Sequence, residues 1–261
     1  MMMVASNVKP LFDGPQETKH CEIHGDYDST KIKVAGREIW SDCPSCARKK
    51  IDDEDKRLRQ AAIRAQEQAK AQQLFGRAAI PKRFVTRTLE SYTARTDGET
   101  KALNAASKYA QNWDENRDNG TSLIFTGNPG TGKTHLAVGI ARKVMEQSGT
   151  AMYTRVIEIA QSVKETYSGN GKTERQVIRS FSDPDLLIID EVGRQYGTDA
   201  EKMYLFEVIN ARYEECKPTI LISNLNINQL KEYIDPAAMD RLREGGGRMI
   251  AFDWDSSRGN F

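Results

Sequence analysis

From about residue 122 onward, short and almost wholly apolar runs alternate with longer stretches of mixed polarity. The runs Ser122–Thr126, Thr150–Thr154, Leu186–Ile189 and Thr219–Ser223 are each a few residues long and bounded by turn-forming or charged residues. Runs of that kind read as strands buried on both faces. Between them, Gly132–Gln147, Val156–Tyr167 and Glu174–Phe181 read as helices. A further helix opens at Thr198-Asp199-Ala200-Glu201, which fits a capping box, and runs to about Glu215. Arg248–Phe252 reads as the last strand. Strands alternating with helices predict an α/β fold with a parallel sheet covered on both faces.

Upstream the pattern changes. Residues 49–75 are rich in Ala, Gln, Lys and Glu and contain no Gly or Pro. Their propensity predicts a helix. Its apolar positions are sparse, which suits a solvated connector or a partner-binding helix better than a core element. The stretch Gly76 to Pro81 marks a boundary. Residues 1–20 read as loose chain. The expected divisions are therefore 1–48, 49–80 and 81–261.

Composition narrows the field. Of 261 residues, 38% are hydrophobic and 29% charged, so the chain can bury a core. The formal net charge is only +1, so any nucleic-acid contact must come from a local basic surface. There is no apolar run long enough to span a membrane, and Met1–Pro10 lacks the apolar centre of a signal peptide. A cytoplasmic setting is expected. Cys21, Cys43 and Cys46 fall in one stretch, with Cys216 alone. In a reducing compartment, such clustering favours metal over disulfides.

The chemistry is most specific at Gly127-Asn128-Pro129-Gly130-Thr131-Gly132-Lys133-Thr134, which matches G-x-x-x-x-G-K-[ST] between a strand and a helix. Glycines allow successive backbone N–H groups to curl around phosphates, and the following helix points its positive end at the same anion. Lys133 would reach the β- and γ-phosphates of ATP, and Thr134 would hold Mg²⁺. The apolar strand Leu186–Ile189 runs into Asp190 and Glu191, two acids at the ligand end of a parallel sheet. Asp190 would serve Mg²⁺ and Glu191 the attacking water. Asn224, after Ile220–Ser223, would hold that water or sense the γ-phosphate, in preference to serving only as a turn-forming Asn. Spacing does not decide whether Arg241 is a solvated helix residue beside Arg243 or a γ-phosphate ligand.

Near the N-terminus, Cys21-x2-His24 and Cys43-x2-Cys46 are ligand pairs with 18 residues between them. Brought together they would form a Cys₃His site for Zn²⁺. Thr30–Val34 and Arg37–Trp40 read as a hairpin turning at Ala35-Gly36, which makes the module zinc-ribbon-like. A module this small has little core, so metal would supply its stability. His20 is a competing ligand with poorer spacing.

The segments GNPGTGKTHLAVGI, LLIIDEVG, SNLN, AAMDRLREGG and FDWDSSR, in this order, resemble the DnaC-type replicative helicase loaders, the DnaC/DnaI/IstB-like branch. The resemblance covers roughly residues 80–261. It implies an AAA+ core with strand order 5-1-4-3-2 and no C-terminal lid. It makes His135 part of the extended phosphate-loop signature and Asn224 the sensor residue. Arg241 becomes an arginine finger acting on a neighbour's ATP, hence a helical or ring-like oligomer, and Arg258 resembles a second sensor. Helices across residues 156–181 would face single-stranded DNA. Some loaders carry an N-terminal zinc module that docks on the hexameric helicase. The rival expectation is an ATP-binding transposition helper that binds duplex DNA and recruits a transposase.

Overall fold

A computed structural model describes residues 14–34, 37–169, 171–194 and 198–256. The chain divides into two units, Met1–Lys70 and Ala71–Phe261.

In the first unit, β1 (Gln16–Cys21), β2 (Gly25–Val34) and β3 (Arg37–Trp40) form an antiparallel sheet in that order. The expected hairpin is β2 and β3, paired from Lys31↔Trp40 to Val34↔Arg37; its turn, Ala35-Gly36, lies outside the described residues. Residues 16–20, expected to be loose, are instead a strand. β1 pairs with β2 from Gln16↔Thr30 to Cys21↔Gly25. Its side chains are polar and mostly exposed, so backbone pairing carries it and no apolar period announces it. α1 (Pro44–Arg77) is longer at both ends than the stretch 49–75. Pro44 starts it, where a missing N–H costs nothing. Ile51, Leu58 and Ile63 on it are exposed.

The second unit adds α2 (Asp97–Gln111), α3 (Trp113–Asp118), β4 (Leu123–Gly127), α4 (Lys133–Glu146), β5 (Ala151–Arg155), α5 (Val156–Thr166), α6 (Glu174–Ser182), β6 (Leu186–Val192), α7 (Asp199–Glu214), β7 (Thr219–Ser223), α8 (Ile227–Tyr233), α9 (Pro236–Arg243) and β8 (Arg248–Phe252). The sheet is five-stranded and parallel, in the order β5-β6-β7-β4-β8. Numbered within the sheet this is 5-1-4-3-2, as the resemblance implies.

The runs Leu123–Phe125, Leu186–Ile189 and Ile220–Ile222 are apolar because both faces of the sheet are covered there. Leu123, Phe125, Leu186, Ile188, Ile220 and Ile222 pack with residues of α2 and α4. Ile124, Leu187, Ile189 and Leu221 pack with residues of α5, α6, α7 and α9. Charged groups also enter this packing, Arg212 the most completely. Arg212 of α7 is fully buried, and its guanidinium donates to the carbonyls of Phe181, Ser182, Pro184, Asp185 and Pro218 and to the Thr219 hydroxyl at 2.6–3.2 Å. It ties the end of α6 to the approaches of β6 and β7.

Candidate nucleotide-binding site and metal centre

β4 delivers the phosphate loop and α4 receives it. Gly127, Gly130 and Gly132 all have positive φ, at 114°, 79° and 94°. That region is open to glycine and strained for other residues. The loop is pinned from behind. Asn128 N–H donates to Phe252 O at 2.8 Å, and the Asn128 side-chain amide donates to the carbonyls of Asp253 and Trp254 at 3.2 Å. Thr131 Oγ1 donates to Asn128 O, while Thr131 O accepts from Tyr92 Oη and Trp254 Nε1. The ammonium of Lys133 lies within the loop, donating to Gly127 O at 2.8 Å and Asn128 O at 2.5 Å.

Asp190 is brought against the residue that follows the loop lysine. Thr134 Oγ1 donates to Asp190 Oδ2 at 2.9 Å, and Tyr153 Oη donates to the same oxygen at 2.9 Å. Burial, then the neighbouring Asp190 carboxylate, pushes the Tyr153 phenol well above the ordinary tyrosine range, so it stays a donor. Glu191 has a positive φ of 59°, and its N–H donates to Asp190 Oδ1 at 2.7 Å. Its carboxylate pairs with Arg194 at 2.9 Å and lies 3.9 Å from Arg155. Backbone strain of this kind costs about 1–3 kcal/mol and is kept mainly at functional sites.

A cavity of about 570 Å³ opens over these groups. Pro129, Gly130, Gly132, Lys133, Thr134, His135, Asp190, Glu191 and Asn224 all line it. Gly127, Asn128 and Thr131 build the loop behind the lining. His135 Nε2 is 2.9 Å from Thr88 O and 3.1 Å from Ser91 Oγ, and burial lowers its pKa. The rest of the wall is Arg83, Phe84, Arg87, Tyr92, Arg95 and neighbours, none of which the sequence singled out. Tyr92 meets the His135 ring edge-on, 5.2 Å between centroids, and its phenol is pushed up to about 12 by burial and then by Glu99.

Arg241 does not belong to that cavity. It lies on α9 with its guanidinium carbon 4.8 Å from the Phe206 ring and 5.7 Å from that of Tyr213. It lines a second cavity, of about 360 Å³, and its Nη1 is buried without a hydrogen-bond partner. Arg258 lies outside the described residues.

In the first unit the four predicted ligands converge. Cys21 Sγ is 3.7 Å from Cys46 Sγ, and His24 Nδ1 is 3.6, 3.6 and 3.4 Å from the sulfurs of Cys21, Cys43 and Cys46. A tetrahedron with Zn–S near 2.3 Å and Zn–N near 2.0 Å has edges of about 3.5–3.8 Å, so the donor set fits zinc. Backbone N–H groups of Ile23 and His24 hold the Cys21 thiol down at about 6, while Cys21 beside it pushes Cys46 up to about 11. One easily formed thiolate suits a metal-binding set. His20 stands apart, 2.6 Å from Asp26.

The fold and site together define an AAA+ P-loop ATP-binding protein. Comparison with known proteins narrows this further. Residues 56–242 match the family model for IstB-like ATP binding proteins, and the chain belongs to that family. It is 32% identical over 202 residues to the replicative helicase loader DnaC of Escherichia coli K12, covering 77% of this chain and 81% of that protein. Among solved structures, that of the DnaC helicase loader superposes with a TM-score of 0.59 at 20% identity, covering 66% of this chain and all of the other. The DnaI structure superposes at 0.56 and 20% identity, covering 66% and 94%. Among the described residues no helix is long and apolar enough to cross a membrane.

Proposed function

We propose that this chain is an ATP-dependent replicative helicase loader. The observation that carries the proposal is the convergence of Lys133, Thr134, Asp190, Glu191 and Asn224 on one cavity, in a chain 32% identical to DnaC. The glycine-bent loop binds the phosphates of ATP, with the Lys133 ammonium turning from the loop carbonyls to the β- and γ-oxygens. Thr134 and Asp190 hold Mg²⁺, which neutralises phosphate charge when bound. Glu191, freed from Arg194, orients the attacking water, and Asn224 reads the γ-phosphate. Arg83 stacked on Phe84 at 4.5 Å offers the base a flat face. Arg241 acts on the ATP of a neighbouring subunit in a helical or ring-like oligomer, consistent with its place outside its own nucleotide cavity.

ATP turnover is slow and rises with single-stranded DNA or the helicase, since a switch needs only occasional hydrolysis. Exposed Lys164, Arg175 and Arg179 on α5 and α6 supply the local basic surface for single-stranded DNA. Residues 1–48, with zinc at Cys21, His24, Cys43 and Cys46, dock on the hexameric helicase, residues 49–80 connect, and residues 81–261 carry the ATPase. The reading places the protein in the cytoplasm.

The test mixes purified protein with the replicative helicase of its host, with and without ATP, and weighs the complex by light scattering after size exclusion. The loader reading expects a discrete complex that Cys43→Ser abolishes. No complex in either condition, together with tight duplex DNA binding, overturns it in favour of the transposition helper.

A further inference from the structure

We infer that Tyr153 is a positioning residue for the magnesium side of the ATP site, fixing the Asp190 carboxylate through its phenol; this rests on the reading of that site given above. In the parallel pair, Tyr153 lies opposite Ile188 and Arg155 opposite Asp190. Alternation puts Tyr153, Ile188 and Asp190 on one face of the sheet, the face covered by α4. Asp190 is two residues beyond Ile188, a step of about 6.6 Å along the strand. A tyrosine leaning along its strand spans that step, and a valine, isoleucine or leucine does not.

The position is otherwise a core position. Tyr153 is only 6% exposed and packs among Leu136, Val138 and other apolar residues of that cluster. A buried phenol requires a partner, and here the partner is a carboxylate oxygen that Thr134 also addresses. Asp190 thus receives two hydroxyl donors on Oδ2 and the Glu191 N–H on Oδ1. These donors have different fates in the proposed reaction. Thr134 must turn its hydroxyl toward the metal, which removes one hydrogen bond from Oδ2. Tyr153 has no such duty. Its backbone is fixed by pairing with β6 on one side and by donation of its N–H to Ala78 O at 2.8 Å on the other. It therefore keeps Oδ2 aimed while Thr134 leaves. Residues that orient metal-serving carboxylates in this way are worth roughly 10–100-fold in metal affinity or activity.

Tyr153→Phe removes the hydroxyl and keeps the ring. In the full-length protein, binding of a fluorescent ATP analogue is measured in EDTA and then across a Mg²⁺ titration. The expected result is a Mg²⁺ midpoint raised about tenfold, at the low end of that range, with unchanged affinity in EDTA. Tyr153→Met repeats the measurement if phenylalanine packs poorly. A Mg²⁺ midpoint equal to that of the unmodified protein overturns the inference. So does an equal loss of affinity in EDTA and in Mg²⁺, which would make Tyr153 a packing residue only. If the unmodified protein itself lacks Mg²⁺-dependent nucleotide binding, the ATP site falls, and this role with it.

Discussion

Replacing Arg212 with methionine tests how far a single buried side chain holds this sheet together. Methionine keeps the length of the stem and removes every donor. The carbonyls of Phe181, Ser182, Pro184 and Asp185 and the Thr219 hydroxyl lose their guanidinium partner; Pro218 O retains a long contact from Leu187 N–H at 3.4 Å. Each buried acceptor left without a donor costs about 1–3 kcal/mol. The simple sum overshoots, because these acceptors lie where the chain enters β6 and β7 and water can reach some of them after local relaxation. About 3–5 kcal/mol is the expected loss, as if roughly two of these acceptors stay unsatisfied at that cost. Burial holds the Arg212 pKa at about 9, with Tyr109 and Asp185 opposing, so the group is charged at neutral pH. At about 2–4 °C per kcal/mol for a unit of this size, the melting midpoint should fall by roughly 6–20 °C. Arg212→Lys should recover little, since one ammonium cannot span acceptors that a planar fork reaches from three nitrogens. The assay is thermal unfolding followed by circular dichroism, without nucleotide, because bound ligand adds stability by mass action. A midpoint shift below about 2 °C for Arg212→Met would refute the argument.

Lys133→Ala should weaken ATP binding by at least tenfold, from the loss of a charge-assisted contact of about 1.5–3 kcal/mol, and should move the melting midpoint little; normal binding by equilibrium titration would sink the phosphate-loop reading. Protein prepared without chelator should carry about one equivalent of zinc by elemental analysis. Removing it by chelation or by Cys43→Ser should expose residues 16–48 to protease while the ATPase unit stays intact. A hydrogen bond from Lys143 holds Glu90 near 2, below its unfolded value of about 4.5. Its stabilising effect is therefore present above pH 4.5 and lost as pH falls toward 2. The pair is exposed, so Glu90→Gln should cost under about 1 kcal/mol at pH 7 and nothing near pH 2, by denaturant titration at both values.

The sheet was legible because a strand covered on both faces must be apolar at every position, and LIF, LLII and ILI leave no other use for such short runs. The phosphate loop was legible because its glycines, lysine and threonine answer one requirement at a fixed spacing. The Cys₃His cluster was legible from the paired spacing alone. β1 was not, because Gln16–Cys21 makes its case through backbone pairing with β2 and shows no apolar period. α2 was passed over although Thr96 and Glu99 form a capping box in which each side chain meets the other's backbone N–H. There the signal existed, in a stretch whose apolar content is low.

Arg212 and Tyr153 share a subtler trait. In α7 the buried positions are Tyr204, Leu205, Val208, Ile209 and Arg212, so the arginine falls in phase with an apolar helical stripe. In β5, Tyr153 falls in phase with Ala151 on an inward face. A polar head in phase with an apolar stripe cannot turn to solvent without taking its neighbours along. It must meet its partners inside, and the sequence cannot say which ones. For Arg212 they are carbonyls, which makes it a staple. For Tyr153 the partner is Asp190, the acid proposed to serve the metal. Phase thus locates the buried polar residue, and only the partner found there separates support of the fold from support of the chemistry.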